Sequence, residues 1–129
     1  IFKFFDDVKI IIVTRDPRSI FYSMKSRSSK GYPGADIKKF VIWYDYIIKK
    51  FYSIYQKNLN NKRILKINFE NFVSDQKLKK KILKFIKDKE IDNKFDFSKS
   101  KINAYKAKKL LSNKEQLFIK KKLKFFLQW

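Results

Sequence analysis

The side chains best suited to chemistry lie just after the first apolar run of the chain. Arg15 follows the apolar residues Ile10 to Val13, and Ser23 comes eight residues after Arg15. A guanidinium is a fixed cation with a planar fork that suits phosphate, and a serine hydroxyl can donate to the same oxygens. The two residues are therefore candidates for an anion site. The alternatives are a solvated charge at a strand end for Arg15 and no role for Ser23.

The local pattern predicts the elements that would carry these two residues. No polar residue alternates among Ile10 to Val13, which is typical of a parallel strand covered on both faces. Asp16 suits a helix N-cap and Pro17 the first helical position, so a helix is predicted from Pro17 to about Ser26. Ligands of open α/β sheets bind at the carboxyl ends of strands, and a helix N-terminus attracts anions. We therefore expect an anion at this N-terminus beside Arg15, although Asp16 and Pro17 by themselves indicate only a cap.

The next segments predict a helix and a second parallel strand. Asp36 can cap a long amphipathic helix from Ile37 to about Asn58, whose aromatic side chains follow the apolar stripe and indicate core packing rather than base stacking. A strand from Arg63 to Phe69 comes next. The strand–helix–strand order predicts a parallel crossover.

The last third of the chain is predicted to be helical at its two ends. Ser74 or Asp75 should cap a helix whose inward-facing residues are Leu78, Ile82, Leu83 and Ile86. Asp88 to Lys101 is polar and irregular, with Phe95 and Phe97 as anchors. Ser112 to Glu115 forms a capping box for a final helix. Four residues give that helix its apolar face: Ile119, Leu123, Phe126 and Leu127.

Two segments together resemble a known family. The run RDPRSIFYS, residues 15–23, resembles the 3′-phosphate-binding segment of the sulfotransferases that use 3′-phosphoadenosine 5′-phosphosulfate (PAPS). The run RILKINFENFV, residues 63–73, is similar to a later strand of that family, with Phe69 and Asn71 where Tyr and Asp are usual. The resemblance implies that Arg15 and Ser23 hold the 3′-phosphate. It implies a structural role near the strand end for Glu70, with a functional carboxylate as the alternative.

The resemblance also implies a fold and a reaction. The fold expected is α/β, a partial three-layer sandwich with a short parallel sheet flanked by helices, which is the P-loop-kinase-like sulfotransferase fold without its N-terminal strand, loop and helix. Residues 1–129 would be a single C-terminal domain fragment. The whole protein would transfer a sulfuryl group from PAPS to a hydroxyl or amine of a carbohydrate or glycolipid, leaving adenosine 3′,5′-bisphosphate. The partners implied are this nucleotide and a small-molecule or glycan acceptor, with no metal and no specific nucleic acid.

Several parts of the family's machinery have no residue assigned in this chain. The 5′-phosphosulfate loop and the catalytic base are expected upstream of Ile1, so no catalytic residue is named and the chain alone is expected to be inactive. A late loop of the family contacts the nucleotide, and Ser98 to Lys101 are candidates without a motif to choose among them. Arg27 to Gly34 is the most loop-like stretch, and it would line an acceptor pocket or be an ordinary surface loop.

The composition sets bounds on location and leaves two other functions open. The 129 residues suffice for one small domain, and the net charge of +21 comes from 29 Lys and four Arg against 12 acids. These lysines are either solvated helix faces or a surface for nucleic acid or acidic membranes, so a basic binding module and an inactive sulfotransferase-like remnant are the alternatives. The absence of Cys, of a signal peptide and of a transmembrane run predicts a cytoplasmic protein, and the chain also has no His.

Overall fold

The computed structural model describes residues 8–27, 33–87 and 97–124. These ranges contain two strands and six α-helices, with one short 3₁₀ turn at Pro33–Ala35, and four of the helices follow the second strand. The elements are β1 (Ile10–Thr14), α1 (Pro17–Lys25), α2 (Ile37–Gln56), β2 (Ile64–Asn68), α3 (Phe69–Ser74), α4 (Gln76–Ile86), α5 (Ser98–Leu110) and α6 (Asn113–Lys122).

The two strands form a parallel sheet with helices on both faces. β1 and β2 pair in register from Ile10 opposite Ile64 to Thr14 opposite Asn68. Since successive side chains alternate between the faces of a sheet, Leu65 and Lys66 point to opposite sides. Leu65 belongs to the cluster that packs on α4, whereas the Lys66 ammonium lies 5.3 Å from the centre of the Tyr55 ring of α2. The fold is therefore a partial α/β sandwich, as predicted, and the parallel pairing is confirmed.

The expectation that both faces of β1 are covered is wrong for Val13. Its side chain is 56% exposed, although the other residues of the strand are buried or half-buried. The cluster on α4 reaches Ile11 but does not include Val13. Within the part of the chain that the structure describes, β2 is the one strand beside β1. The carboxyl end of β1, where Val13 lies, therefore remains exposed to solvent on this side.

The larger core forms between α1, α2, α5 and α6. Phe40 is fully buried at its centre, with the Phe21 ring 5.1 Å and the Tyr44 ring 5.6 Å away between centroids. Ile119 of α6 and Leu123, the residue after this helix, are also buried there. The interpretation of the aromatic stripe of α2 as core is thus confirmed for its first half, whereas the second half carries exposed residues.

Two boundaries differ from the sequence predictions, the end of β2 and the start of α5, whereas the cap of α4 agrees with them. Phe69 begins α3 rather than ending the strand, because the Asn68 side chain caps this helix by accepting from the Asn71 N–H at 3.0 Å. Asp75 caps α4, as one of the two predicted alternatives states. Helix α5 already begins at Ser98, inside the stretch predicted to be irregular.

The helical state of α5 follows from its packing rather than from its periodicity. Ala104 and Ala107 are buried and allow close contact with α1, where the Ser19 hydroxyl donates to the Ala104 carbonyl at 3.0 Å. Phe97 anchors the start of α5 edge-on against Phe72, with ring centres 5.0 Å apart, as predicted. The other predicted anchor, Phe95, lies outside the described residues, and so do Phe126 and Leu127.

The predicted capping box at the start of α6 is present and also ties this helix to α1. The Ser112 hydroxyl accepts from the Glu115 N–H at 3.3 Å, and the Glu115 carboxylate accepts from the Ser112 N–H at 3.0 Å. The other carboxylate oxygen of Glu115 lies 2.6 Å from the Lys25 ammonium. These bonds, first that from Lys25 and then those from Ser112, lower the pKa of Glu115 against the opposing effect of desolvation.

We expect removal of this cap to weaken the fold in a pH-dependent way. Ser112→Ala should lower the free energy of unfolding by about 0.5–2 kcal/mol, the usual value of an N-cap.

Because the folded-state pKa of Glu115 is depressed, the contribution of its carboxylate to the free energy of unfolding is present above the ordinary carboxyl pKa. This contribution is lost as pH falls through the folded-state value. Urea denaturation of the wild type and Glu115→Gln between about pH 7 and about pH 3 should show the stability difference shrinking on acidification. A difference that stays constant over this range would contradict the assignment.

Candidate anion-binding site

The backbone at the β1–α1 junction is held from three sides. The Thr14 hydroxyl donates to a carbonyl of β2 at 3.2 Å, and the Tyr44 hydroxyl of α2 donates to the Arg15 carbonyl at 3.4 Å. The Asp16 N–H donates to the Glu70 carboxylate of α3 at 3.0 Å. Since three separate elements fix consecutive residues, the position from which the Arg15 side chain leaves the sheet is well defined.

The Arg15 side chain is oriented by one stacking contact and one hydrogen bond. Its guanidinium carbon lies 4.9 Å from the centre of the Phe69 ring, and its Nη2 donates to the Asn103 carbonyl of α5 at 2.9 Å. Its Nε is buried and has no hydrogen-bond partner in the described part of the chain. Stacking on an aromatic face preserves the guanidinium charge and its donors, so Arg15 remains able to bind an anion.

Arg15 and Ser23, the two residues predicted from the sequence, line the same pocket. This pocket, of about 260 Å³, is bordered by Arg15, Tyr22, Ser23, Ser26, Arg27 and Asn103. Its lining residues thus include two arginines, three residues with hydroxyls and an asparagine, and none of them is acidic. Guanidinium and hydroxyl donors around a small cavity suit a phosphate or sulfate group.

The helical spacing of α1 explains why Ser23 and Arg27 meet at this pocket. Residues three and four apart are neighbours on a helix surface, and Arg27 lies four positions after Ser23, just past the end of α1. Arg27 is exposed and Ser23 is half-buried. Ser23 on α1 and Arg27 just beyond its end thus border the same pocket as Arg15.

The expectation that the N-terminus of α1 offers free N–H groups to an anion is wrong. The Asp16 carboxylate already accepts from the Arg18 N–H at 2.8 Å and pairs with the Arg18 guanidinium. This hydrogen bond to Asp16 raises the pKa of Arg18. An N-cap carboxylate is itself an anion at the positive end of the helix, so a second anion would be repelled there. The pocket instead lies along the side of α1.

Glu70 and Tyr44 act on the junction rather than on the pocket. Glu70 accepts from the Asp16 N–H, as its structural interpretation predicts, and does not line the pocket. Burial raises the pKa of Tyr44 to about 12, and the negative charges of Asp16 and Glu70 act in the same direction. Tyr44 therefore keeps its proton and remains a donor to the Arg15 carbonyl.

The sequence prediction of this site lacked Phe69 and four of the residues that line the pocket: Tyr22, Ser26, Arg27 and Asn103. The helical spacing from Ser23 would have identified Arg27. The stacking of Phe69 under Arg15 and the approach of Asn103 depend on tertiary packing and have no local signal. Of the candidates from the late stretch, Ser98, Ser100 and Lys101 do not line the pocket. In the proposed acceptor loop, residues 28–32 lie outside the described residues.

Two further properties concern metals and membranes. Among the residues that the structure describes, no group of potential metal ligands comes together. Of the helices in the same ranges, none is both long and apolar enough to cross a membrane.

The fold is α/β, and a pocket bordered by two arginines lies beside the β1–α1 junction. A family model described as "Sulfotransferase family" matches residues 1–87, about two thirds of the chain. The chain belongs to the sulfotransferase family, which confirms the resemblance found in the sequence. No match was found among curated proteins or among solved structures.

Proposed function

We propose that the pocket binds the 3′-phosphate of PAPS and of its product, adenosine 3′,5′-bisphosphate. Arg15 and Ser23 would be its ligands, and Arg27 would add a second cation. The observation that carries the proposal is that Arg15 and Ser23, eight residues apart in a sulfotransferase-family chain, line one pocket without acidic lining residues.

The physical argument rests on charge and on prior orientation. A terminal phosphate monoester carries close to two negative charges at neutral pH, and two guanidinium groups border the pocket. Arg15 is already oriented by Phe69 and Asn103, so little side-chain freedom is lost on binding. The volume of about 260 Å³ lies below the roughly 300–1,000 Å³ of pockets that enclose whole ligands. It therefore suits the phosphate end of a nucleotide better than the complete molecule.

In the reaction proposed for the whole protein, PAPS supplies the sulfuryl group. Its bond to the 5′-phosphate oxygen breaks as a bond forms to an acceptor hydroxyl or amine, and adenosine 3′,5′-bisphosphate leaves. Arg15 and Ser23 would hold the nucleotide at a point distant from the reacting sulfur. The family resemblance supports a carbohydrate or glycolipid as acceptor. Residues 1–129 as one C-terminal domain and a cytoplasmic location also remain predictions.

We expect the purified chain to bind adenosine 3′,5′-bisphosphate at least about tenfold more tightly than adenosine 5′-monophosphate, since a charged hydrogen bond is worth about 1.5–3 kcal/mol. Ser23→Ala should reduce the affinity for the bisphosphate by about two- to tenfold, the equivalent of one hydrogen bond, and leave the monophosphate unchanged. Titration calorimetry measures both. Ser53→Ala is the matched control, because Ser53 is an exposed serine of α2 outside this pocket. Equal affinity of the wild type for the two nucleotides would contradict the proposal.

A further inference from the structure

The outer face of α4 carries a row of exposed lysines. Between Gln76 and Ile86 the sequence contains five Lys and no Asp or Glu. Four of them, Lys77, Lys80, Lys81 and Lys84, stand at positions i, i+3, i+4 and i+7 and are exposed. These spacings put them on one side of the helix, and we call them the α4 lysine face. At 1.5 Å per residue the face extends over about 10 Å.

The rotation of α4 about its axis is fixed by its opposite side. Ile82 is buried against Leu65 and Ile67 of β2, with Phe85 packed beside it. The lysines therefore cannot turn toward the protein, and the α4 lysine face points outward from the side of the sheet that α4 covers. None of its residues borders the anion pocket.

The charges of this face are not neutralised within the described residues. None of the four ammonium groups forms an ion pair or a hydrogen bond there. Three basic side chains elsewhere do form ion pairs: Arg18 with Asp16, Lys25 with Glu115 and Lys49 with Asp45. Among the described residues, the α4 lysine face is thus a compact group of like charges without an ion-paired carboxylate, an arrangement that favours an external anionic partner.

The chemistry of the face indicates what kind of anion it suits. It contains no Arg fork for bidentate contact with an individual phosphate and no aromatic ring for base stacking. Several ammonium groups on one face of a helix can instead contact a flat surface that carries many negative charges. A basic helix face of this kind is typical of proteins attracted to anionic membrane surfaces. We propose that the α4 lysine face docks the protein electrostatically on an anionic lipid bilayer.

The test compares two variants that lose the same charge from different places. Lys77, Lys80, Lys81 and Lys84 are all changed to Gln in the first variant. Lys38, Lys39, Lys57 and Lys62, exposed lysines outside α4, are changed to Gln in the second. Glutamine and lysine have similar helix propensities, and thermal unfolding checks that both variants fold. Co-sedimentation uses vesicles of phosphatidylcholine with or without about 30% phosphatidylserine at about 0.1 M salt.

We expect the wild type to bind only the vesicles that contain phosphatidylserine. A lysine near such a surface strengthens binding by about fivefold, so the α4 variant should bind at least about tenfold more weakly. The control variant should change by less than about threefold, because its lysines are not gathered on one face.

Three results would overturn the proposal. If the wild type does not bind the anionic vesicles, the surface has no membrane role. Equal losses in the two variants would mean that only total charge matters. If instead a single-stranded oligonucleotide binds at the same salt and only the α4 variant loses this binding while vesicles are ignored, the partner is a nucleic acid. Each of these results is independent of nucleotide binding at Arg15, so the two proposals fail separately.

Discussion

Replacing Arg15 with Ala should weaken the binding of adenosine 3′,5′-bisphosphate by about ten- to a hundredfold. A hydrogen bond to a charged group is worth roughly 1.5–3 kcal/mol, which corresponds to this ratio of affinities. The guanidinium is held by the Phe69 ring and the Asn103 carbonyl at the edge of a pocket that it shares with Ser23. Titration calorimetry with the bisphosphate measures the effect. Adenosine 5′-monophosphate should bind wild type and variant alike, since it lacks the 3′-phosphate.

Arg18→Ala provides a matched control for this experiment. It removes the same charge from the same segment, but Arg18 pairs with Asp16 and does not border the pocket. We therefore expect its affinity for the bisphosphate to change by no more than about twofold, as for a screened surface charge. Because Arg15 also bonds to α5, the thermal unfolding of each variant has to be recorded. A folded Arg15→Ala protein with wild-type affinity would show that the pocket does not hold the 3′-phosphate.

Replacing Phe40 with Ala should have the largest effect on stability, a loss of about 3–5 kcal/mol in the free energy of unfolding. Phe40 is fully buried and contacts three aromatic rings, those of Phe21, Trp43 and Tyr44. Truncation removes this buried area and leaves a cavity between helices that cannot collapse fully. Since Tyr44 also holds the Arg15 carbonyl, bisphosphate binding should weaken together with stability.

Phe51→Ala makes the same chemical change on the same helix at a residue that is 52% exposed. We expect it to lower the unfolding free energy by about 1 kcal/mol or less, within the range of ordinary surface substitutions. Urea denaturation of both variants, analysed with a common slope, gives the comparison. Similar losses for the two positions would mean that the core is not centred on Phe40.

The local signals of the sequence were strong enough to predict several elements. Asp16, Asp36 and the Ser112–Glu115 box each mark a helix start, because a short polar side chain can bond free N–H groups only a few residues away. The positions of Arg15 at the end of β1 and of Ser23 on the following helix could also be predicted, since strand and helix geometry set where each side chain points.

Tertiary packing decided the features whose contacts join distant parts of the chain. Phe69 stacks on Arg15 across 54 positions, and Asn103 accepts from Arg15 across 88. Helix α5 depends on alanines that gain burial only when α1 lies against them, which no periodicity of its own sequence records. The N-terminus of α1 was misjudged for a related reason. The sequence identified Asp16 as the cap of this helix. Only the folded structure shows that the Asp16 carboxylate, paired with Arg18, already lies where an anion was expected. It also shows that the pocket lies on the side of the helix.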